Sequence, residues 1–156
     1  MSRLALFGGS KVIKKPLTNY NEIGSSELKE IKKVIKSGIL SGFVASNDDS
    51  FFGGPKIKQL EKLWQKKFNV NNAISFNSNT SGIFAAVGAI NANPGDEIIV
   101  PPYTMSATVI APLIYGCIPV FADIEDQYFC IDPKKIITKI TQRTKAIIAV
   151  NLFGHP

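Results

Sequence analysis

The chain has 156 residues, of which 45% are hydrophobic, so it can bury a core and does not have the composition of a disordered segment. Its net charge is +6, and most of the basic residues precede Asn69. Lysine-rich stretches are more often solvated helix faces than nucleic-acid surfaces, and no apolar run has the length of a membrane span. We therefore expect neither nucleic acid nor a membrane as a partner. Cys117 and Cys130 lack metal-ligand spacing, which indicates a reduced, cytoplasmic protein.

The first part of the chain predicts an arm followed by two helices. Residues 1–24 are rich in Gly, Pro and Asn and have no clear period, so we interpret them as an N-terminal arm. Apolar residues at helical spacing then predict a helix from Ser25 or Ser26 to about Gly38. A second helix is predicted to follow Pro55.

Aromatic residues stand out in and after the loop between these helices. Residues 38–55 contain Phe43, Phe51 and Phe52, and we expect the three rings to pack on something, such as a second subunit. The second helix carries Trp64 on its apolar stripe, and the pattern favours a core position over a ligand contact for this residue.

From residue 73 onward, short apolar strands alternate with helices. The predicted strands cover 73–76, 97–100, 118–123 and 145–150, and the predicted helices cover 81–91, 104–115 and 133–140. Each strand is almost wholly apolar, which is typical of a parallel sheet buried on both faces. The sequence therefore predicts the α/β class, with a mostly parallel sheet and flanking helices.

The segment FNSNTSG, residues 76–82, follows one predicted strand and opens a helix. Free N–H groups and the helix dipole make a helix N-terminus a good phosphate site, and Ser78, Asn79 and Thr80 add further donors. Ordinary capping accounts for any single one of these residues. Four small polar residues in succession leave capping and phosphate binding as equal alternatives. The segment matches neither G-x-x-x-x-G-K-[ST] nor G-x-G-x-x-G, so it supports neither an NTPase nor a dinucleotide enzyme.

Three other loops also end predicted strands with polar residues. They are PPYTMSAT at 101–108, the turn at Asp123, and NLFGHP at 151–156, which contains His155. The carboxyl ends of parallel strands meet at one edge of the sheet, where open α/β sheets bind ligands. His155 alone is typical of an exposed loop histidine, and the loops contain no catalytic triad or metal cluster.

Three longer stretches together resemble the DegT/DnrJ/EryC1/StrS family of pyridoxal-phosphate-dependent sugar aminotransferases, which have the fold-type I architecture. They are GGPKIKQLEKLWQKKFNVNNAISFNSNTSG, PGDEIIVPPYTMSATVIAPLIYGCIPVFADIE and ITQRTKAIIAVNLFGHP. The resemblance implies that residues 25–156 are the first, incomplete part of the family's large domain. It also implies a homodimer, with the active site between two subunits.

The resemblance assigns roles to two of the polar loops. It places the cofactor phosphate at Ser78, Asn79 and Thr80, through backbone N–H groups and hydroxyls, and places Thr104 and Met105 in the loop under the pyridine ring. Many family members have an aromatic residue where this chain has Met105. A thioether can still pack on a ring face because it is soft and polarizable.

The resemblance further implies pyridoxal 5'-phosphate as cofactor and an amino transfer from glutamate or glutamine to a keto group of a nucleotide-linked sugar. Such products would serve polysaccharide or secondary-metabolite biosynthesis. The family binds the cofactor through a Schiff base to a lysine, which lies beyond the segment that NLFGHP matches, as does the acid facing the pyridine nitrogen. No lysine here suits that role, so we predict that these 156 residues alone contain no catalytic residue, are poorly stable and are inactive.

Two alternatives stay open beside this reading. The first is a sugar dehydratase of the same fold that uses pyridoxamine phosphate and lacks the lysine. The second is a non-catalytic, truncated partner that binds a full-length copy.

Overall fold

The computed structural model describes residues 3–16, 20, 22–40, 42–43, 45 and 47–156. Residues 1–2, 17–19 and 21 of the predicted arm, and residues 41, 44 and 46 of the predicted aromatic loop, lie outside the described residues. By its internal packing the chain divides into two units, Met1–Lys58 and Gln59–Pro156. The boundary predicted between an arm and a large domain at residue 24 stays a prediction.

Helix α1, Ser25–Ser37, forms at its predicted position. The Glu27 carboxylate accepts a hydrogen bond from the Gly24 N–H at 2.7 Å, which satisfies one of the free donors at the helix start. Gly38 ends the helix in the left-handed conformation, with φ of 69°. The lysines of α1 are exposed, as expected of a solvated face.

The aromatic residues that follow α1 do not pack into a core within the described part of the chain. Phe43, Phe51 and Phe52 are each more than half exposed. A short 3-10 helix, Asp49–Phe52, brings the rings of Phe51 and Phe52 edge to face, with centroids 5.2 Å apart. A second subunit as their packing partner remains a prediction.

Helix α2, Pro55–Phe68, begins at the predicted proline. The prediction that Trp64 lies in the core is wrong, because its side chain is 53% exposed and its ring contact is with Phe68 of the same helix, at 4.5 Å between centroids. Helix α2 contains no buried residue. Helical periodicity identifies an apolar face but not whether another element covers that face.

The second unit contains a parallel sheet of three strands in the order β2–β1–β3. The strands are β1 (Glu97–Val100), β2 (Ile118–Phe121) and β3 (Thr144–Ile147), and the helices are α3 (Asn79–Ala89), α4 (Ser106–Ile114) and α5 (Pro133–Ile137). A short 3-10 helix, Leu152–Gly154, follows β3. This arrangement confirms the predicted α/β class and parallel sheet, with strands and helices a few residues shorter than predicted at several ends.

The side chains of β1 are buried on both faces of the sheet. Ile98 and Val100 pack on one face with residues of α3 and α4, whereas Ile99 packs on the other face, where Ile136 of α5 lies. The first cluster contains Val87, Ile98, Val100, Ala111 and Cys117, and the second contains Ile99, Ala122 and Ile131. The core therefore has three layers, with α3 and α4 on one face of the sheet and α5 on the other, and β1 lies at its centre. Full burial of a side chain of this size contributes about 1.5–3 kcal/mol to stability.

Two predictions about the strands are corrected by the structure. Residues 73–76 form no strand, because no described residue pairs with them, and the N–H of Ser75 donates instead to the Glu61 carboxylate at 2.8 Å. Ile74 and Phe76 are consequently exposed. Burial on both faces holds for β1 only, since β2 and β3 each have a neighbour on one side and are partly exposed.

The amino end of β1 is held by a buried carboxylate. Glu97 accepts hydrogen bonds from the Thr141 hydroxyl at 2.6 Å and from Arg143 Nε at 3.0 Å and a terminal guanidinium nitrogen at 2.5 Å. The Thr141 hydrogen bond, together with Arg143, lowers the pKa of Glu97, although burial acts in the opposite direction. These contacts tie the start of β1 to the turn that precedes β3.

The acid sensitivity of the fold should depend on Glu97. Because its folded-state pKa is lowered, ionised Glu97 stabilises the fold above its unfolded pKa of about 4.3, and this stabilisation is lost as the pH falls through the lower folded value. We expect the unfolding temperature of the wild type to fall more steeply below about pH 4 than that of Glu97→Gln, as measured by circular dichroism. Thr141→Val should raise the folded pKa of Glu97 toward its unfolded value, so the loss should be smaller and should end at a higher pH than in the wild type. Identical pH profiles for the wild type and Glu97→Gln would contradict the assignment.

Candidate functional site

The N-termini of α3 and α4 lie at the same edge of the sheet. The two helices pack on each other. Their C-terminal ends are in close contact, because a Cβ added at Gly88 of α3 would lie only 2.6 Å from the hydroxyl of Tyr115, the residue that ends α4. The N–H of Gly95 donates to the Gly116 carbonyl at 2.9 Å, so these helix ends lie beside the start of β1. Helices of 11 and 9 residues are about 16 and 13 Å long, so both begin near the carboxyl end of β1.

Ser78, Asn79 and Thr80 form the start of α3, as the sequence predicts. Ser78 is the N-cap, and its hydroxyl oxygen accepts a hydrogen bond from the Ser81 N–H at 3.1 Å. Among the described residues, the N–H groups of Asn79 and Thr80 have no hydrogen-bond partner, and both residues are exposed. The cap therefore satisfies one donor of the first turn and leaves two others directed away from the helix. Free N–H groups at a helix N-terminus are well suited to binding a phosphate.

Thr104 and Met105 lie at the start of α4, on the loop that leaves β1. The Thr104 and Thr108 hydroxyls are hydrogen-bonded at 2.8 Å, and Thr108 is buried, so this contact fixes the loop to α4. Met105 is the N-cap residue but makes no capping bond with its side chain, which is 77% exposed. The thioether is therefore available to pack against a planar ligand.

The loop after β2, residues 122–132, is built around Glu125. The Glu125 carboxylate accepts hydrogen bonds from the N–H groups of Gln127, Tyr128 and Cys130 at 2.7, 2.8 and 3.1 Å. Partial burial raises the pKa of Glu125, but these three backbone donors and His155 outweigh it and lower the pKa. The Asp123 carboxylate is used within the same loop, where it accepts from the N–H of Ile124 at 2.9 Å.

Aromatic contacts join the three strand-end loops. The rings of Tyr103 and Phe129 meet edge to face, with centroids 6.3 Å apart, and the rings of Tyr128 and His155 are stacked at 3.9 Å. The loops after β1, β2 and β3 therefore converge as predicted. Tyr128, Phe129 and Glu125 were not among the predicted site residues, and the available signal was the pair of adjacent aromatic residues, Tyr128 and Phe129, in the loop after β2.

Comparison with known proteins decides the family. The sequence profile of the DegT/DnrJ/EryC1/StrS aminotransferase family matches residues 23–156. The chain belongs to this family.

Two curated relatives illustrate the similarity. The spore coat polysaccharide biosynthesis protein SpsC of Bacillus subtilis is 36% identical over 133 residues, which are 85% of this chain and 31% of SpsC. The 3-oxo-glucose-6-phosphate:glutamate aminotransferase of the same organism is 41% identical over 104 residues, which are 67% of this chain and 24% of that enzyme. The chain thus spans about a third or less of the length of these relatives.

Solved structures of the family share the fold. An aminotransferase from Psychrobacter cryohalolentis superposes with a TM-score of 0.78 at 26% identity, covering 90% of this chain and 33% of its own. NtdA from Bacillus subtilis, solved with bound cofactor PMP (pyridoxamine phosphate), has a TM-score of 0.70 at 36% identity and covers 81% of this chain and 27% of its own. A GDP-4-keto-6-deoxy-D-mannose-3-dehydratase from E. coli, with bound hydrated PLP (pyridoxal phosphate), has a TM-score of 0.73 at 27% identity and covers 85% and 33%. The family's cofactor is therefore pyridoxal phosphate or its amino form.

Two further properties bear on the site. None of the helices that the structure describes combines the length and the apolar character needed to cross a membrane. Within the described residues, no three His, Cys, Asp or Glu side chains come together in a group that could hold a metal ion.

The capping role of Ser78 can be tested through stability. Replacing Ser78 by Ala removes the acceptor for the Ser81 N–H and should destabilise the protein by about 1 kcal/mol, as measured by urea unfolding. Ser78→Asp should retain the cap. Ser106→Ala is the matched control, because Ser106 lies in the first turn of α4 and is not its capping residue, and it should change stability by less than about 0.5 kcal/mol. Equal losses for Ser78→Ala and Ser106→Ala would contradict the capping role.

Proposed function

We propose that this chain provides the phosphate-binding site at the start of α3 and the loop under the pyridine ring in a pyridoxal-phosphate-dependent sugar aminotransferase. The observation that carries the proposal is the start of α3, where Ser78 caps the helix and the N–H groups of Asn79 and Thr80 have no partner within the part of the chain that the structure describes. Backbone donors at a helix N-terminus suit the dianionic phosphate of the cofactor. Family membership supplies the identity of the phosphate ester.

The described residues would hold the cofactor at two places. Asn79 and Thr80 would donate to its phosphate, and Met105, whose side chain is exposed at the start of α4, would pack on its ring. When bound, the cofactor supplies an electron-withdrawing ring that stabilises negative charge on the carbon next to the amino group. The loops 76–82, 101–105, 122–132 and 148–156 contain no lysine, so the amine that the family uses would have to come from outside these loops.

The reaction that we propose for the whole protein is an amino transfer. Nitrogen would leave glutamate or glutamine, giving the corresponding 2-oxo acid, and would replace the oxygen of a keto group on a nucleotide-linked sugar. This proposal is supported by the family and by the names of the relatives, among them a glutamate-dependent aminotransferase and a spore coat polysaccharide biosynthesis protein. A homodimeric, cytoplasmic enzyme remains part of the proposal.

A sugar dehydratase is the second candidate, because a dehydratase is among the structural neighbours. The two reactions differ in the fate of nitrogen. With 15N-labelled glutamate, the full-length protein that contains this chain should give an amino sugar carrying the label, as detected by mass spectrometry. A sugar product that has lost water and carries no label would replace the aminotransferase proposal with the dehydratase.

Binding of the cofactor phosphate at the start of α3 can be tested without measuring turnover. Thr80→Val should weaken the binding of pyridoxal phosphate by about 10- to 100-fold, because the hydrogen bond from the Thr80 hydroxyl to the charged phosphate is lost while the backbone N–H is kept. The binding of pyridoxal, which lacks the phosphate, should not change. Absorbance titration of both compounds measures this difference, and Thr138→Val, which lies outside these loops, is the control. Equal effects of Thr80→Val on both compounds would contradict a phosphate site at α3.

A further inference from the structure

Phe129, in the loop after β2, has a left-handed backbone conformation that is unusual for a phenylalanine. Phe129 has a φ of 61°, a conformation that bulky residues rarely adopt and that costs free energy. Such a residue persists only where the surrounding contacts over-determine the backbone.

The loop around Phe129 is closed by several backbone contacts. Ile124 and Ile131 form an antiparallel bridge, and Ile131 is buried in the core beside Ile99. The N–H of Glu125 donates to the Cys130 carbonyl at 2.9 Å. The Glu125 carboxylate in turn accepts hydrogen bonds from three backbone N–H groups of the same loop. Phe129 is thus enclosed by a backbone that has little freedom to relax.

The ring of Phe129 makes its aromatic contact with Tyr103, across to the loop after β1. The centroid distance of 6.3 Å and the interplanar angle of 77° fall in the favourable edge-to-face range. Tyr103 directly precedes Thr104, whose hydroxyl is bonded to Thr108. The segment that leads to Met105 is therefore fixed at two consecutive residues, by Phe129 on one side and by α4 on the other.

We propose that Phe129 is a positioning residue of the candidate site, which holds Tyr103 and thereby sets the place of Met105. The inference deepens the proposed function, because Met105 is where the cofactor ring would pack. Phe129 and Tyr103 need not touch the cofactor. The backbone strain is retained because a residue that relaxes the turn, such as Asn or Gly, would not supply the ring.

The first readout needs no cofactor. In protein labelled with 13C-methyl methionine, the Met105 methyl signal is assigned by its loss in Met105→Leu. We expect Phe129→Leu and Tyr103→Leu to shift this signal and the double variant to shift it no further than the single variants, whereas Phe129→Tyr, which keeps the ring, should leave it in place. Phe153→Leu is the matched control, because Phe153 also has a positive φ of 51° but is 91% exposed and makes no ring contact within the described residues. An unmoved Met105 signal in Phe129→Leu would overturn the proposal.

Two further readouts separate positioning from simple structural support. Phe129→Asn and Phe129→Leu both remove the ring, but only Asn suits the left-handed backbone. Phe129→Asn should therefore unfold at the higher temperature while shifting the Met105 signal as much as Phe129→Leu does. Equal or reversed unfolding temperatures would overturn the strain argument.

Cofactor affinity links the inference to function. Phe129→Leu should weaken pyridoxal phosphate binding by about two- to tenfold, the range expected for loss of an aromatic pair. If the wild-type protein does not bind the cofactor and the Phe129 and Tyr103 variants still shift the Met105 signal, the proposed function is refuted while the positioning role stays intact. Normal affinity in Phe129→Leu would overturn the link between the pair and the site.

Discussion

The parallel pairing of β1 with β2 on one side and β3 on the other is the constraint on which the arrangement of the site depends. Every residue of β1 is buried, and Ile98, Ile99 and Val100 have no exposed surface. Since each strand that pairs with β1 must run in the same direction, all three strands end at one edge. The loops that carry Met105, Phe129 and His155 are brought together by this pairing.

The amino edge of the sheet and the carboxyl edge use polar groups in different ways. At the amino edge, Glu97 is saturated by Thr141 and Arg143, so its charge serves to join β1 to the turn before β3. At the carboxyl edge, Ser78 caps α3, and two N–H groups of its first turn have no partner among the residues described by the structure. An N–H group at a helix start that is exposed to water costs little free energy, and it can bind an anion that replaces the water. The same sheet thus has one edge that is closed by its own side chains and one that is open to a ligand.

The sequence predicted those features whose cause is local. The start of α2 follows from Pro55 at its first position, the start of α3 follows from the capping residue Ser78, and the apolar run at β1 follows from burial on both faces. The strand predicted at 73–76 and the core position predicted for Trp64 were wrong for one shared reason. Each depends on a partner element, and a periodic pattern shows which face is apolar without showing that anything covers it.

Phe129 shows the opposite limit of sequence reading. Left-handed positions are normally recognised by Gly or Asn, and a phenylalanine gives no local signal for one. The conformation arises from contacts with residues up to five positions away, namely the hydrogen bonds to Glu125 and the bridge between Ile124 and Ile131. Local preference and tertiary structure usually agree, and where they disagree the position is often functional. In this chain the disagreement occurs beside Tyr103, one residue before the loop segment that family resemblance assigns to the cofactor ring, so the strained residue and the open edge belong to the same region of the sheet.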